Sequence, residues 1–80
     1  MRRTFEQVLT VIPERSRDGF VQLGRQAYAA GPQRVTRAPH FARMREFLSS
    51  TLTNARYALP TDQELQQMVE RYFDDSRREP

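Results

Sequence analysis

Residues 60–76 read PTDQELQQMVERYFDDS, and this stretch decides the fold. Its large apolar side chains recur three, four, seven and eight positions after the first, which is the spacing of one face of an α-helix. These side chains are Leu65, Met68, Val69, Tyr72 and Phe73. Thr61 and Glu64 have the spacing of a capping box, in which each side chain accepts a hydrogen bond from the other residue's backbone N–H. The sequence therefore predicts an amphipathic helix from about residue 62 to residue 76, with residues 77–80 frayed.

Two more helices are predicted upstream. One covers about residues 39–56, because Pro39 suits a first helical turn and an apolar stripe follows it. Serine and threonine side chains around Ser50 compete for backbone hydrogen bonds, so a break or bend is expected there. The other helix covers about residues 17–30, with Ser16 as its cap and Gly31 beginning its stop signal. The expected inward residues of the two helices are Phe41, Met44, Leu48, Leu52, Ala55, Phe20, Leu23, Gly24, Ala27 and Ala30.

The first segment, residues 5–12, fits two structures. Its apolar spacing and the Thr4-to-Gln7 capping pattern favour a helix, whereas the run from Val8 to Ile12 has the composition of a strand. A strand would need a partner, and only residues 34–37 offer one. The prediction is an all-α fold, a compact bundle of three to four short helices, with the first segment as a strand in the alternative.

The length of 80 residues fits one domain, residues 1–80, with residues 1–3 expected to fray. A core of this size contributes only about 3 to 5 kcal/mol of stability. We therefore expect a partner or self-association to complete the fold.

Charge is divided unevenly along the chain. Residues 1–45 contain nine arginines against three carboxylates, and residues 46–80 contain four arginines against seven carboxylates. The division predicts an acidic partner for the first half, or complementary halves that meet within the molecule or across a dimer. There is no lysine, which is better explained by codon bias than by selection for phosphate binding.

The residue inventory argues against catalysis and metal binding. The chain has no cysteine, His40 is its only histidine, and its three glycines match no nucleotide-binding fingerprint. We expect no enzyme, no cofactor, no metal and no small-molecule substrate. The absence of cysteine and of a long apolar run favours a soluble, cytoplasmic protein that does not enter a membrane.

A nucleic-acid surface is the alternative function. A helix-turn-helix across residues 23–41 fails, because Pro39 would break the recognition helix. A looser surface for DNA or RNA phosphates remains, and its candidate residues are Arg25, Arg34, Arg37, Arg43 and Arg45.

The leading hypothesis is a small helical protein–protein interaction module that acts as an adaptor, inhibitor or regulatory subunit. Eight aromatic residues are generous for four short amphipathic elements, so some apolar area should remain uncovered for a partner protein or a homodimer. The candidate contact residues are Tyr57, Tyr72 and Phe73.

Overall fold

The computed structural model of the protein describes residues 3–31, 34–52 and 57–78, with side chains up to Asp74 in the last range. Within these ranges the secondary structure is four α-helices and one 3-10 turn, so the all-α prediction is confirmed. The helices are α1 (Phe5–Val11), α2 (Glu14–Ala29), α3 (Pro39–Thr51) and α4 (Asp62–Arg78), and the 3-10 turn is Val35–Arg37.

The first segment is a helix, and the alternative strand is wrong. Thr4 caps it as its sequence predicts, because the Thr4 hydroxyl accepts from the Gln7 backbone N–H at 3.1 Å. The Gln7 side chain in turn accepts from the Thr4 N–H at 2.9 Å. The two bonds satisfy N–H groups that a helix start leaves free, and a strand would offer this segment no equivalent.

Two helix ends lie several residues from their predicted positions. α2 begins at Glu14, so Ser16 lies inside the helix and does not cap it; Pro13 occupies the cap position. α3 ends at Thr51, one residue after Ser50 donates its hydroxyl to the Glu46 carbonyl at 2.8 Å. Side chains of this kind compete with the helix backbone, which accounts for the early end. The predicted continuation through residues 53–56 lies outside the described residues.

At the start of α4 and after the end of α2 the sequence signals work as expected. α4 begins at Asp62 with the predicted capping box between Thr61 and Glu64, whose two bonds measure 2.9 and 3.1 Å. Gly31 follows α2 with a φ of 103°, a left-handed conformation that favours glycine. α4 continues to Arg78, two residues past its predicted end.

The core is built around α2, which packs against α1, α3 and α4. Its centre is the ring of Phe5, which lies 5.3 Å from the Phe20 ring, 4.6 Å from Tyr72 and 5.8 Å from Phe73 between centroids. Gly24 of α2 makes this approach possible. A Cβ at that position would lie 3.1 Å from a Phe73 ring carbon and 3.2 Å from Phe5 ring carbons.

Two glycines of α2 should respond in opposite ways to alanine. Gly19→Ala should raise the free energy of unfolding by about 0.5 to 1 kcal/mol, because a Cβ there meets no atom within 4 Å and alanine favours the helix. Gly24→Ala should lower the free energy of unfolding. Its Cβ would press on the Phe5 and Phe73 rings, which other aromatic contacts hold in place. Urea denaturation of both variants measures the difference, and an equal gain at both positions would contradict the packing.

Glu64 should make stability depend on acid pH. Its pKa lies below the ordinary value of 4.5, mainly because the carboxylate accepts the backbone N–H of Thr61, with Arg3 nearby as a further cause. The Glu64 carboxylate binds a proton more readily in the unfolded chain than in the folded protein. The stabilisation from the ionised carboxylate is therefore present above pH 4.5 and is lost as the pH falls through the folded pKa.

The stability difference between wild type and Glu64→Gln should therefore shrink between neutral and strongly acidic pH. Glu46→Gln removes an exposed carboxylate of α3 and serves as the control. Denaturant unfolding across the pH range checks the effect, and a difference that grows on acidification would show that the sign is wrong.

Candidate functional site

An open groove of about 530 Å³ lies between the start of α1 and one side of α4. We call it the α1/α4 groove. Its apolar lining comes from Phe5, Met68 and Tyr72. Phe5 and Met68 are buried, while Tyr72 is half-buried and stacks on Phe5. The groove thus combines an aromatic surface with access from solvent.

The charged lining of the groove is mostly acidic. It consists of Arg3, Glu6, Glu64, Glu70, Arg71 and Asp74. Among the described side chains one ion pair forms here, between Arg3 and Glu64 at 3.4 Å. Glu70 accepts a hydrogen bond from Gln66 at 3.2 Å, and Asp74 accepts one from the Tyr28 hydroxyl. Glu6 and Arg71 are exposed and take part in none of the described ion pairs.

Arg3 fixes one end of the groove. Its guanidinium donates to the Ala58 carbonyl and to Glu64, and lies 5.2 Å from the centroid of the Tyr57 ring. Tyr57 is half-buried beside the groove but does not line it. The Tyr57 hydroxyl is buried without a hydrogen-bond partner among the described residues. Because Arg3 bonds both the segment before α4 and the first turn of α4, it holds this wall against α1.

Tyr72 and Phe73 are neighbours in sequence but have different environments. Tyr72 lines the groove, as its candidate role requires. Phe73 is only 6% exposed, so the expectation that it is partly uncovered is wrong. Its ring lies 5.7 Å from Tyr28, and the guanidinium of Arg25 lies 5.8 Å from its centroid. α2 covers this end of α4, which sequence periodicity could not show.

The five candidate arginines for nucleic acid do not form one surface. Arg45 pairs with Asp62 at 2.9 Å, and Arg25 lies over Phe73. Arg43 is two residues from Arg45 and therefore about 160° away from it around α3. Arg34 and Arg37 do share a face, because they are three positions apart at a 3-10 turn with three residues per turn. All five are exposed.

Sites of other kinds have little support among the described residues. His40 is half-buried in the first turn of α3. In the ranges the structure describes, no three histidine, cysteine, aspartate or glutamate side chains come together as metal ligands. None of the described helices has both the length and the apolar character needed to cross a membrane.

Comparison with known proteins gave no match. No family model, no curated protein and no solved structure aligns significantly with this chain. The features that point to a function are the geometry of the α1/α4 groove and the distribution of charge.

Sequence reasoning named one contact residue that lines the groove, Tyr72, and missed its charged lining, which includes Arg3, Glu6 and Arg71. Each is a charged residue on the polar side of its element, where solvation is the ordinary explanation. The capping pattern at Thr4 is the one local signal that points to Arg3, because it places Arg3 just before a helix start. Which helix lies opposite cannot be deduced from that pattern.

Phe73→Ala should destabilise the protein far more than Tyr72→Ala. Truncating a buried phenylalanine costs about 3 to 5 kcal/mol. A domain of this size has about that much stability in total, so we expect Phe73→Ala to be largely unfolded. Tyr72→Ala should lower the stability less, because the Tyr72 side chain is only half-buried. Thermal melting followed by circular dichroism measures both, and a Phe73→Ala variant with wild-type stability would contradict the packing of the α2/α4 contact.

Proposed function

We propose that this protein is a small non-enzymatic helical module, an adaptor, inhibitor or regulatory subunit of the cytoplasm, that binds a partner protein in the α1/α4 groove. The observation that supports the proposal is an aromatic groove, open to solvent, whose charged lining forms a single ion pair among the described residues. Apolar surface beside unpaired charge is the usual composition of a protein-binding site, with an apolar centre and a polar rim.

Tyr72 and Arg71 are the expected contact residues. Tyrosine and arginine are enriched among the side chains that contribute most to binding. Tyr72 offers half of a ring already fixed against Phe5, so it loses little rotamer freedom when a partner covers it. Arg71 is exposed beside it and can bond a carboxylate or a backbone carbonyl of the partner.

The walls of the groove are fixed before binding. The start of α1 is held by its Thr4–Gln7 capping box, and the start of α4 is held by Thr61, Glu64 and Arg3. A site that is already ordered avoids part of the entropy lost on association. This supports binding of a partner segment without rearrangement of the helices.

The alternative function, an arginine-dependent DNA- or RNA-binding regulator, has weaker support. Residues 19–45 contain five arginines and no carboxylate, which favours phosphate binding. Two of the five, Arg25 and Arg45, already contact side chains of this chain, which leaves Arg34 and Arg37 as the one pair that shares a face. Two arginines supply few of the phosphate contacts that duplex binding uses.

Site-specific photocrosslinking in the source cell tests the groove. A photoreactive residue at Gln67, which is exposed and lines the groove, should give one discrete adduct with a partner protein. The matched position is Gln22, which is exposed on α2 and outside the groove. Adding Arg71→Glu should change the yield of the Gln67 adduct at least tenfold, because it reverses a charge at the contact: the yield should fall for an acidic partner and rise for a basic one.

Arg15→Glu is the control for that charge reversal, since Arg15 is exposed on α2 away from the groove. It should leave the adduct unchanged. Equal adducts at Gln67 and Gln22, or an adduct insensitive to Arg71→Glu, would reject the groove as the binding site.

A further inference from the structure

We propose that the occupant of the α1/α4 groove is a second copy of this chain, which docks through residues 34–37. We call these residues the arginine turn. The inference rests on the proposed function of the groove as a protein-binding site. It identifies the partner by charge complementarity between two surfaces that every copy carries.

The groove has an excess of negative charge. Four carboxylates and two arginines line it, and one of those arginines, Arg3, is already paired with Glu64. Glu6, Glu70 and Asp74 then stand against Arg71 alone. An occupant that brings two positive charges would balance this surface.

The arginine turn brings two such charges in a fixed geometry. Arg34 and Arg37 are exposed and belong to none of the described ion pairs. Buried Val35 anchors the turn, and backbone bonds of 3.1 Å from Arg34 to Gly31 and 3.0 Å from Arg37 to Arg34 close it. The two guanidinium groups therefore project from one face of an ordered turn.

The arginine turn and the groove of one molecule are separate surfaces. Arg71 lines the groove, while Phe73, two residues later and about 160° around the helix, contacts Tyr28 of α2. The groove thus lies on the α1 side of α4. The arginine turn packs with α2, α3 and α4, and none of its residues lines the groove. Contact between the turn and a groove therefore joins two molecules.

This pairing of two different surfaces allows two forms of assembly. Two copies can exchange the contact reciprocally, which closes a two-fold dimer, or each copy can bind the next head to tail, which continues unless a ring closes. In both forms we expect association that increases with protein concentration. Exposed charges dominate the contact, so salt should weaken it.

Complementary charge reversal tests the inference by sedimentation at low salt. The groove variant is Glu6→Arg with Gln67→Arg, two exposed positions of the lining. The turn variant is Arg34→Glu with Arg37→Glu. Each variant alone should associate at least tenfold more weakly than wild type. An equimolar mixture should associate as wild type does, because each contact in the mixture again joins opposite charges.

Matched controls carry the same charge changes elsewhere. Glu14→Arg with Gln22→Arg matches the groove variant, and Arg15→Glu with Arg43→Glu matches the turn variant; all four positions are exposed and outside both surfaces. The controls should associate as wild type does. Circular dichroism of every variant must show a folded protein, and a variant that fails this check is replaced by its single substitutions.

Several results would overturn self-association. One is a wild-type protein that remains monomeric at low salt up to its solubility limit, and another is a mixture of the two variants that does not recover association. A monomer that still crosslinks another protein through Gln67 would reject the second copy but retain the proposed function. A monomer that binds a labelled DNA duplex through Arg34 and Arg37 would assign the arginine turn to nucleic acid instead. Absence of both association and crosslinks would reject both proposals.

Discussion

The contact between the Phe5 ring and the backbone of Gly24 is the constraint on which the rest of the structure depends. Phe5 reaches Phe20 on α2 and both Tyr72 and Phe73 on α4, so one side chain of a seven-residue helix joins three elements. A short helix has little stability of its own in water, and tertiary packing of this kind has to hold it. A Cβ at position 24 would lie 3.1 to 3.2 Å from the Phe73 and Phe5 rings, so any larger residue there would force these rings to shift.

The same contact creates the α1/α4 groove. Phe5 packs α1 against the C-terminal half of α4. The residues before Phe5 therefore lie beside the start of α4, where Arg3 donates hydrogen bonds to Glu64 and to the Ala58 carbonyl. Core formation therefore leaves Tyr72 half-covered and places an acidic lining around it. The arginine turn does not line this groove, so the acidic groove and the basic turn are separate surfaces of the molecule.

The sequence was informative wherever the signal is local. The periodicity of residues 65–73 identified the buried Leu65, Met68 and Val69, and both capping boxes form as their spacing predicts. Tyr72 lines the groove and Phe73 is buried outside it, although the two are adjacent. Their difference arises from Tyr28, whose hydroxyl bonds Asp74 and whose ring covers Phe73 from α2. No pattern within α4 contains that information.

The sequence by itself determined three helices, favoured a fourth at residues 5–12, and showed most of the inward faces and the uneven distribution of charge, because each of these depends on residues within a few positions of one another. Only the tertiary structure decided which helices are neighbours. Arg3 and Ala58 are 55 positions apart, and their bond exists because aromatic rings packed around Gly24 bring the two segments together. The groove is a product of that long-range packing, for which side-chain shape matters more than helical spacing.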